Sequence, residues 1–187
     1  MGTIIMLSVK PRYCELIANG KKTIEIRKSV PDTGKSVCKE FIGEGKIKAY
    51  IYCTKGGNDR NPSMNLWKPD STGYNLLLNG TVIGEFCIYG LDIESYCYTD
   101  YDLRRINQDE WTNRLLQKAC VTREDFIRYA KSEKCHPVIH FWPIYNLIIY
   151  DKPRPLSDFY NRSSVFENGR FSGITKPPKS WYYCAEA

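Results

Sequence analysis

The sequence predicts a single α+β domain in which short strands carry most of the core and a few helices are inserted between them. Three observations predict it. Residues 3–9 and 47–54 have the alternating or doubly apolar character of strands, and helical spacing of apolar residues is confined to 11–18 and 111–130. The 187 residues also include 14 Tyr and 4 Trp, an aromatic content that suits sheets. With 42% hydrophobic and 26% charged residues, the composition is that of a folded chain long enough for one domain with a real core, and it excludes disorder.

Each element has its own signal. Ile5, Leu7 and Val9 share one face of a first strand. Lys10-Pro11 then changes the period. Proline at a first helical position, Tyr13, Leu16 and Ile17 at helical spacing, and Asn19-Gly20 as a stop predict a helix of two to three turns. Lys10 is thereby placed beside the positive end of a helix dipole, where free backbone amides attract anions. The next strand is the most densely charged stretch, Gly20-Lys21-Lys22-Thr23-Ile24-Glu25-Ile26-Arg27-Lys28. Its alternation predicts that Ile24 and Ile26 are buried while Thr23, Glu25 and Arg27 are presented together on the opposite face.

Residues 29–46 read as a loop and 47–54 as a strand with bulky residues on both faces. The polar stretch 58–75, interrupted by Trp67, is too long for an ordinary connection and is read as a functional flap or an insertion. Leu76-Leu77-Leu78, Asn79-Gly80 and Thr81 to Phe86 carry a hairpin signal. After an acidic, Tyr-containing stretch, Trp111, Leu115, Leu116 and Ala119 form a helical stripe. Thr122 caps a further helix with Glu124 and Asp125 in its first turn. Residues 136–150 return to strand character. The tail 151–187, with Pro153, Pro155, Pro177 and Pro178, is expected to wrap the surface until a last strand at 181–184.

The net charge of +6 lies entirely in the first third: residues 1–60 hold 12 Lys and Arg against 6 Asp and Glu, and the remainder balances at 15 against 15. That asymmetry favours an anionic partner, nucleic acid or nucleotide, against the alternative of a solvated basic face. Eight cysteines are scattered without a Cys-x-x-Cys pair, several inside apolar strands, and are read as reduced. The first ten residues lack signal-peptide features, and the longest apolar run, 141–150, is broken by Pro143 and Asn146. These features predict a cytoplasmic protein that does not cross a membrane, with accidental sequons at Asn79 and Asn161.

The charged strand admits two readings. Glu25 and Arg27 could form a surface ion pair of little energetic value. Alternatively, Lys10, Lys22, Glu25 and Arg27 line a pocket in which the cations take phosphate or carbonyl oxygens and the carboxylate accepts from a base edge. His136 and His140 would lie roughly 13 Å apart along a strand, too far to share a zinc, and Cys135 faces away from His136, so neither a metal site nor a Cys-His pair is expected. No glycine-rich phosphate loop or His-Glu-x-x-His pattern occurs, and no cofactor is called for. Among the aromatics, Trp67 and Trp181 are the better candidates for stacking on a base, and Trp142 the poorer.

With these residues in view, the chain resembles the ASCH domain family of the PUA-like superfamily, in its longer bacterial type. The match rests on Leu7-Ser8-Val9-Lys10-Pro11, on Gly20-x-Lys22-x-x-Glu25-x-Arg27, on Val82-x-Gly84-Glu85-Phe86, on Ile149-Tyr150-Asp151-Lys152-Pro153 and on Pro177-Pro178-Lys179-Ser180-Trp181. The resemblance implies a PUA-like mixed β-barrel of five to seven strands with short helices at its edge. Residues 58–75 and 92–134 then read as insertions. It also implies a basic cleft for RNA or nucleotides, lined by Lys10, Lys22, Glu25 and Arg27, with Trp181 nearby.

Some small relatives are amidohydrolases of N4-acetylcytidine that use a Lys, a Thr and a Glu. Lys22 matches the lysine, but Glu25 stands at the threonine position, Thr23 lies beside it, and the third group has no placed counterpart. The expected function is therefore an RNA- or nucleotide-binding module. The alternatives are a hydrolase of an acylated nucleoside or of RNA, with Lys22, Thr23 and Glu25 catalytic, and a protein-interaction domain using the 92–134 helices.

Overall fold

The computed structural model describes residues 3–31, 45–55, 66–69, 72–73, 75–131, 138–161 and 173–186. Its elements follow in chain order. β1 (Thr3–Val9) leads into α1 (Pro11–Ala18), which has Pro11 at its first position and is closed by Asn19 and a left-handed Gly20, φ +72°. Then come β2 (Ile24–Arg27), β3 (Lys46–Cys53), the short pair β4 (Trp67–Pro69) and β5 (Asn75–Leu77), β6 (Val82–Tyr89) and β7 (Glu94–Cys97). Three helices follow: α2 (Asp100–Arg104), α3 (Glu110–Ala119) and α4 (Arg123–Ala130). Asp109 caps α3, and Thr122 caps α4 through the Asp125 amide, as its sequence predicts. β8 (Val138–Pro143), β9 (Tyr145–Arg154), β10 (Phe159–Asn161) and β11 (Trp181–Glu186) complete the described chain.

Six strands form the main sheet in the order β10-β11-β1-β3-β6-β9, with β1 and β3 parallel and the other neighbours antiparallel. β2, β8 and β7 form a second, antiparallel sheet, so the mixed α+β fold that the resemblance implies is built from two sheets that share a core through Trp142, and no closed ring of strands joins them among the described residues. That core contains Ile5, Leu7, Val9, Ile47, Ala49, Ile51 and Phe86 from the main sheet, Cys14 and Ile17 from α1, and Trp142 from β8. The opposite face of the small sheet, with Ile24, Ile26, Ile139 and Phe141, is covered by α3 and α4 through Leu115, Leu116, Ala119, Phe126 and Ala130.

The outer face of the main sheet is apolar and tyrosine-rich, with Met6, Tyr50, Tyr52 and Phe159 buried. Two carboxylates tie its strands together. Glu85 accepts from Tyr150 at 2.5 Å and pairs with Lys48 at 3.0 Å, and Glu186 accepts from Tyr50 and from Arg154.

Four expectations change. The Asn79-Gly80 turn forms, with Gly80 at φ +83°, but it does not join a hairpin: β5 pairs with β4, and β6 pairs with β3 and β9. The turn is tied to the end of β3 instead, because the Gly80 backbone amide donates to the Cys53 carbonyl at 2.7 Å and the Asn79 side-chain Nδ2 to the Thr54 carbonyl at 3.3 Å. The 136–150 region is two strands broken near Ile144. The acidic stretch after 92 contains β7, which pairs with β8. The tail does more than wrap, since β10 and β11 extend the main sheet beside β1. The flap expected at 58–75, together with Cys38, Cys135 and His136, falls wholly or largely outside the described residues. The six described cysteines are free thiols. No described helix is long and apolar enough to cross a membrane.

Gly84 sits between the register shifts where β6 crosses β9, and an added Cβ would run into the Ile148 carbonyl and lie 3.1 Å from the Ile149 Cα. Because both obstacles are backbone, Gly84→Ala is expected to destabilise the fold by about 1–3 kcal/mol in urea denaturation. A loss below about 0.5 kcal/mol would show that the two strands can separate there at little cost.

Candidate nucleic-acid interface

The charged strand is placed by the turn that precedes it. After Gly20 reverses the chain, the Lys22 amide donates back to the Leu16 carbonyl at 2.8 Å, which turns the Lys22 side chain inward. Only 3% of Lys22 is exposed, against 7% of Glu25 and 8% of Arg27. An ammonium buried to this degree needs a partner for each N–H, and Lys22 has three. Its Nζ donates to the Ile24 carbonyl at 2.8 Å and to the Ala119 carbonyl at 2.9 Å, and pairs with Glu25 at 3.2 Å. Ala119 is the last residue of α3, whose left-handed cap at Cys120, φ 52°, ends the helix there. Lys22 thus neutralises the negative end of a helix dipole as well as a carboxylate. The Tyr13 ring of α1 covers it at 5.0 Å.

Arg27 completes the group from two residues along β2. Its Nη2 pairs with Glu25 at 2.7 Å and donates to the Ser8 carbonyl of β1 at 2.8 Å, while its Nη1 reaches the Ser180 hydroxyl at 3.2 Å. The triad therefore pins the small sheet to β1, to the entry of β11 and to α3 at once. Burial alone would raise the Glu25 carboxyl, but the charges and hydrogen bonds of Lys22 and Arg27 outweigh it and hold the group below its ordinary value. Two donors on this face are unspent: Arg27 Nε and Trp142 Nε1 are buried with no acceptor among the described residues.

Around this buried centre runs an aromatic and basic rim. Tyr129 of α4 and Tyr13 of α1 both sense the Glu25 charge, and burial raises the hydroxyl pKa of each. The Lys28 ammonium lies 5.0 Å over the Tyr129 ring, and the Arg12 guanidinium 4.5 Å over Tyr13. Arg12 also bridges to Asp125 at 3.1 Å, linking α1 to α4. Trp181 packs at 6.5 Å on Trp142, and its Nε1 donates to the Ser29 hydroxyl at 3.0 Å.

The structure brings Lys22, Glu25 and Arg27 together, with Trp181 following the serine that holds Arg27. Lys10 stands at the exposed N-cap of α1. Two expectations are corrected. The polar face of the strand is not a surface, because it looks into the core between the two sheets and Glu25 and Arg27 are buried with it. Thr23 does not join them: it precedes β2, is exposed, and spends its backbone on the Lys118 carbonyl and the Ile144 amide.

His140, on the same face by its register with Arg27, meets Ser95 across β7 at 2.7 Å, and burial lowers its pKa. Among the described residues no three His, Cys, Asp or Glu side chains gather to hold a metal. Sequence reasoning missed the anchoring parts of Ser8, Tyr13, Ala119 and Tyr129. The carbonyls have no sequence signature, Tyr13 reads as part of the apolar face of α1, and Tyr129 carries no signal of its own.

A family model, "ASCH domain", matches residues 7–161. Among solved structures, the ASCH protein of Zymomonas mobilis is similar at a TM-score of 0.53 and 15% identity, with 97% of this chain and 87% of that chain covered. Two single-substitution variants of that protein superpose equally, at TM-scores of 0.52 and 0.54 and 14% and 15% identity, each over 97% of this chain and 89% and 87% of theirs. At such identities the likeness concerns the fold. No curated protein matches the chain significantly.

Glu25→Gln leaves two buried cations without their shared carboxylate and is expected to cost roughly 3–5 kcal/mol at pH 7. Because the folded carboxyl lies below its unfolded value, this stabilisation is fully present above about pH 4.3. It is lost as pH falls through the folded value. Urea denaturation of both proteins from pH 7 to pH 3 should show their stabilities converging toward acid. A constant gap across that range would remove the ionised carboxylate as its cause.

Proposed function

The chain belongs to the ASCH domain family, and on that premise we propose that it is an RNA- or nucleotide-binding module whose ligand lies in the cleft beside β2. The observation that carries this reading is the state of Lys22. All three of its N–H groups are engaged within the protein, so it supports the cleft wall and is not a free base or nucleophile. Glu25, ionised between two cations, is a weakened base. Thr23 lies off the buried face. A hydrolytic constellation of Lys22, Thr23 and Glu25 thus lacks an available proton acceptor, whereas a binding site needs only what the rim presents.

That rim combines exposed cations with rings. Lys10 and Lys28 are exposed and Arg12 is held over Tyr13. Tyr129 is 39% exposed beside Lys28. Cations that track a phosphate backbone, interleaved with rings on which bases stack, are the recurrent chemistry of single-stranded nucleic-acid binding. Trp181, at the far wall, is the stacking residue of the reading.

Fluorescence anisotropy with a labelled single-stranded RNA should show binding at low salt that weakens steeply as salt rises. Lys10→Ala and Lys28→Ala should each lower the salt slope by about one phosphate contact. Absence of binding at low salt sinks the reading, and release of acetate from N4-acetylcytidine by the purified protein would replace it with the hydrolase.

A further inference from the structure

Among the described residues the two larger sheets end in four outer strands, and three of them are guarded. On β2, Lys22 Nζ occupies the Ile24 carbonyl at 2.8 Å and the Thr23 amide donates to the Lys118 carbonyl at 2.9 Å. On β9, Lys68 Nζ takes the Tyr150 carbonyl at 3.1 Å and Asn146 is left-handed, φ 48°. On β10, Gly173 bridges to Tyr160 and the Ile174 amide donates to the Phe159 carbonyl at 2.7 Å. Lysines, irregular residues and covering segments are the usual means of keeping an edge from pairing with another chain. β7 differs. Glu94-Ser95-Tyr96-Cys97 contains no Lys, no Pro and no left-handed residue, all four residues are exposed, and β8 is its only strand partner among the described residues.

The phase of the small sheet shows what this edge presents. The Ile144 amide donates to the Thr23 carbonyl at 2.9 Å, so alternation turns the backbone of His140 and Trp142 toward β2 and that of Ile139 and Phe141 toward β7. Glu94 and Tyr96, opposite Phe141 and Ile139, complete the ladder. Ser95 between them turns its N–H and C=O outward, and neither has a partner among the described residues. Phe141 packs against α3 and α4, which puts Glu94 and Tyr96 on the helix side; Tyr96 is 48% exposed and its ring centroid lies 4.1 Å from that of Trp111. Cys97 and the 42% exposed Val138 share the other face.

We propose that the β7 edge docks a basic, extended segment of a partner protein, which adds a strand beside Ser95. This surface is separate from the cleft beside β2 and does not depend on the nucleotide-binding reading. Charge selects the occupant. From residue 89 to residue 103 the chain has four carboxylates and no Lys or Arg. Glu94 and Asp100 are exposed and have no ion-pair partner among the described residues. Phosphates are repelled here, whereas an arginine on the helix side meets the Tyr96 ring and the Glu94 carboxylate together. Its neighbours along an added strand face Val138 and Cys97, which suit small β-branched residues. The pattern recognised is therefore alternating cationic and β-branched residues.

The test follows the fluorescence anisotropy of a labelled, end-blocked peptide of alternating Arg and Val mixed with the whole protein, and the ¹⁵N–¹H signal of the Ser95 amide. Binding is expected to move that signal downfield, and Glu94→Lys is expected to weaken it about tenfold. Ser95→Pro removes the outward N–H without breaking a ladder bond and should weaken binding as much. If that variant does not fold, a peptide N-methylated at its Val residues, which keeps the charge and loses the strand bonds, should bind about tenfold more weakly than its parent. Equal binding by the N-methylated peptide, or by a peptide with Glu in place of Arg, overturns the proposal, as does absence of binding at low salt. A dimer of the protein alone that sedimentation detects and Glu94→Lys abolishes would make a second copy the occupant and overturn it too.

Discussion

The arrangement of this molecule depends on a buried ionic triad with two cations and one carboxylate. Lys22 and Arg27 meet across Glu25 in the layer between the two sheets, where water cannot screen or solvate them. A net positive charge in such a place is tolerable only because carbonyl oxygens surround it. Those of Ile24 and Ala119 take Lys22, and that of Ser8 takes Arg27. Each carbonyl comes from a different part of the chain: the start of β2, the end of α3 and the end of β1. The triad therefore fixes the relative position of β2, α3 and β1.

The exposed and the buried cations differ accordingly in what they can exchange. Exposed Lys10, Lys28 and Arg12 remain able to exchange water or a neighbour for a ligand oxygen, at little cost. The Lys22 ammonium and the Nη groups of Arg27 cannot, because they are already committed and releasing one leaves a carbonyl or carboxylate unpaired in the core. A buried frame of this kind holds the residues around it in one arrangement. Beside it lie the rings of Tyr13 and Trp181, partly buried against the same core.

Much of the frame was legible because it depends on local chemistry. The alternation of Ile5, Leu7 and Val9, the Pro11 start and Gly20 stop of α1, and the Thr122 cap of α4 are short-range rules, and each appears where its pattern predicts. The hairpin signal at Asn79-Gly80 failed for the complementary reason. A turn sequence specifies a reversal but not which strands pair beyond it, and here Asn79 and Gly80 bond to the end of β3.

The sequence by itself determined that the charged residues of 20–28 act together, since period-two spacing puts Glu25 and Arg27 on one face whatever the rest of the chain does. It also determined the family, through motifs that run from Leu7 to Trp181, and the family model matches residues 7–161. Only the tertiary structure decided that this face is buried, because burial came from β1, α1 and the Ser180–Trp181 segment closing over it, up to 153 residues away. Alternation distinguishes one face from the other, and it carries no information about what a distant segment will lay on top. For the same reason Trp142, an ordinary core tryptophan in the sequence, acquired its place beside Arg27 only when β8 paired with β2.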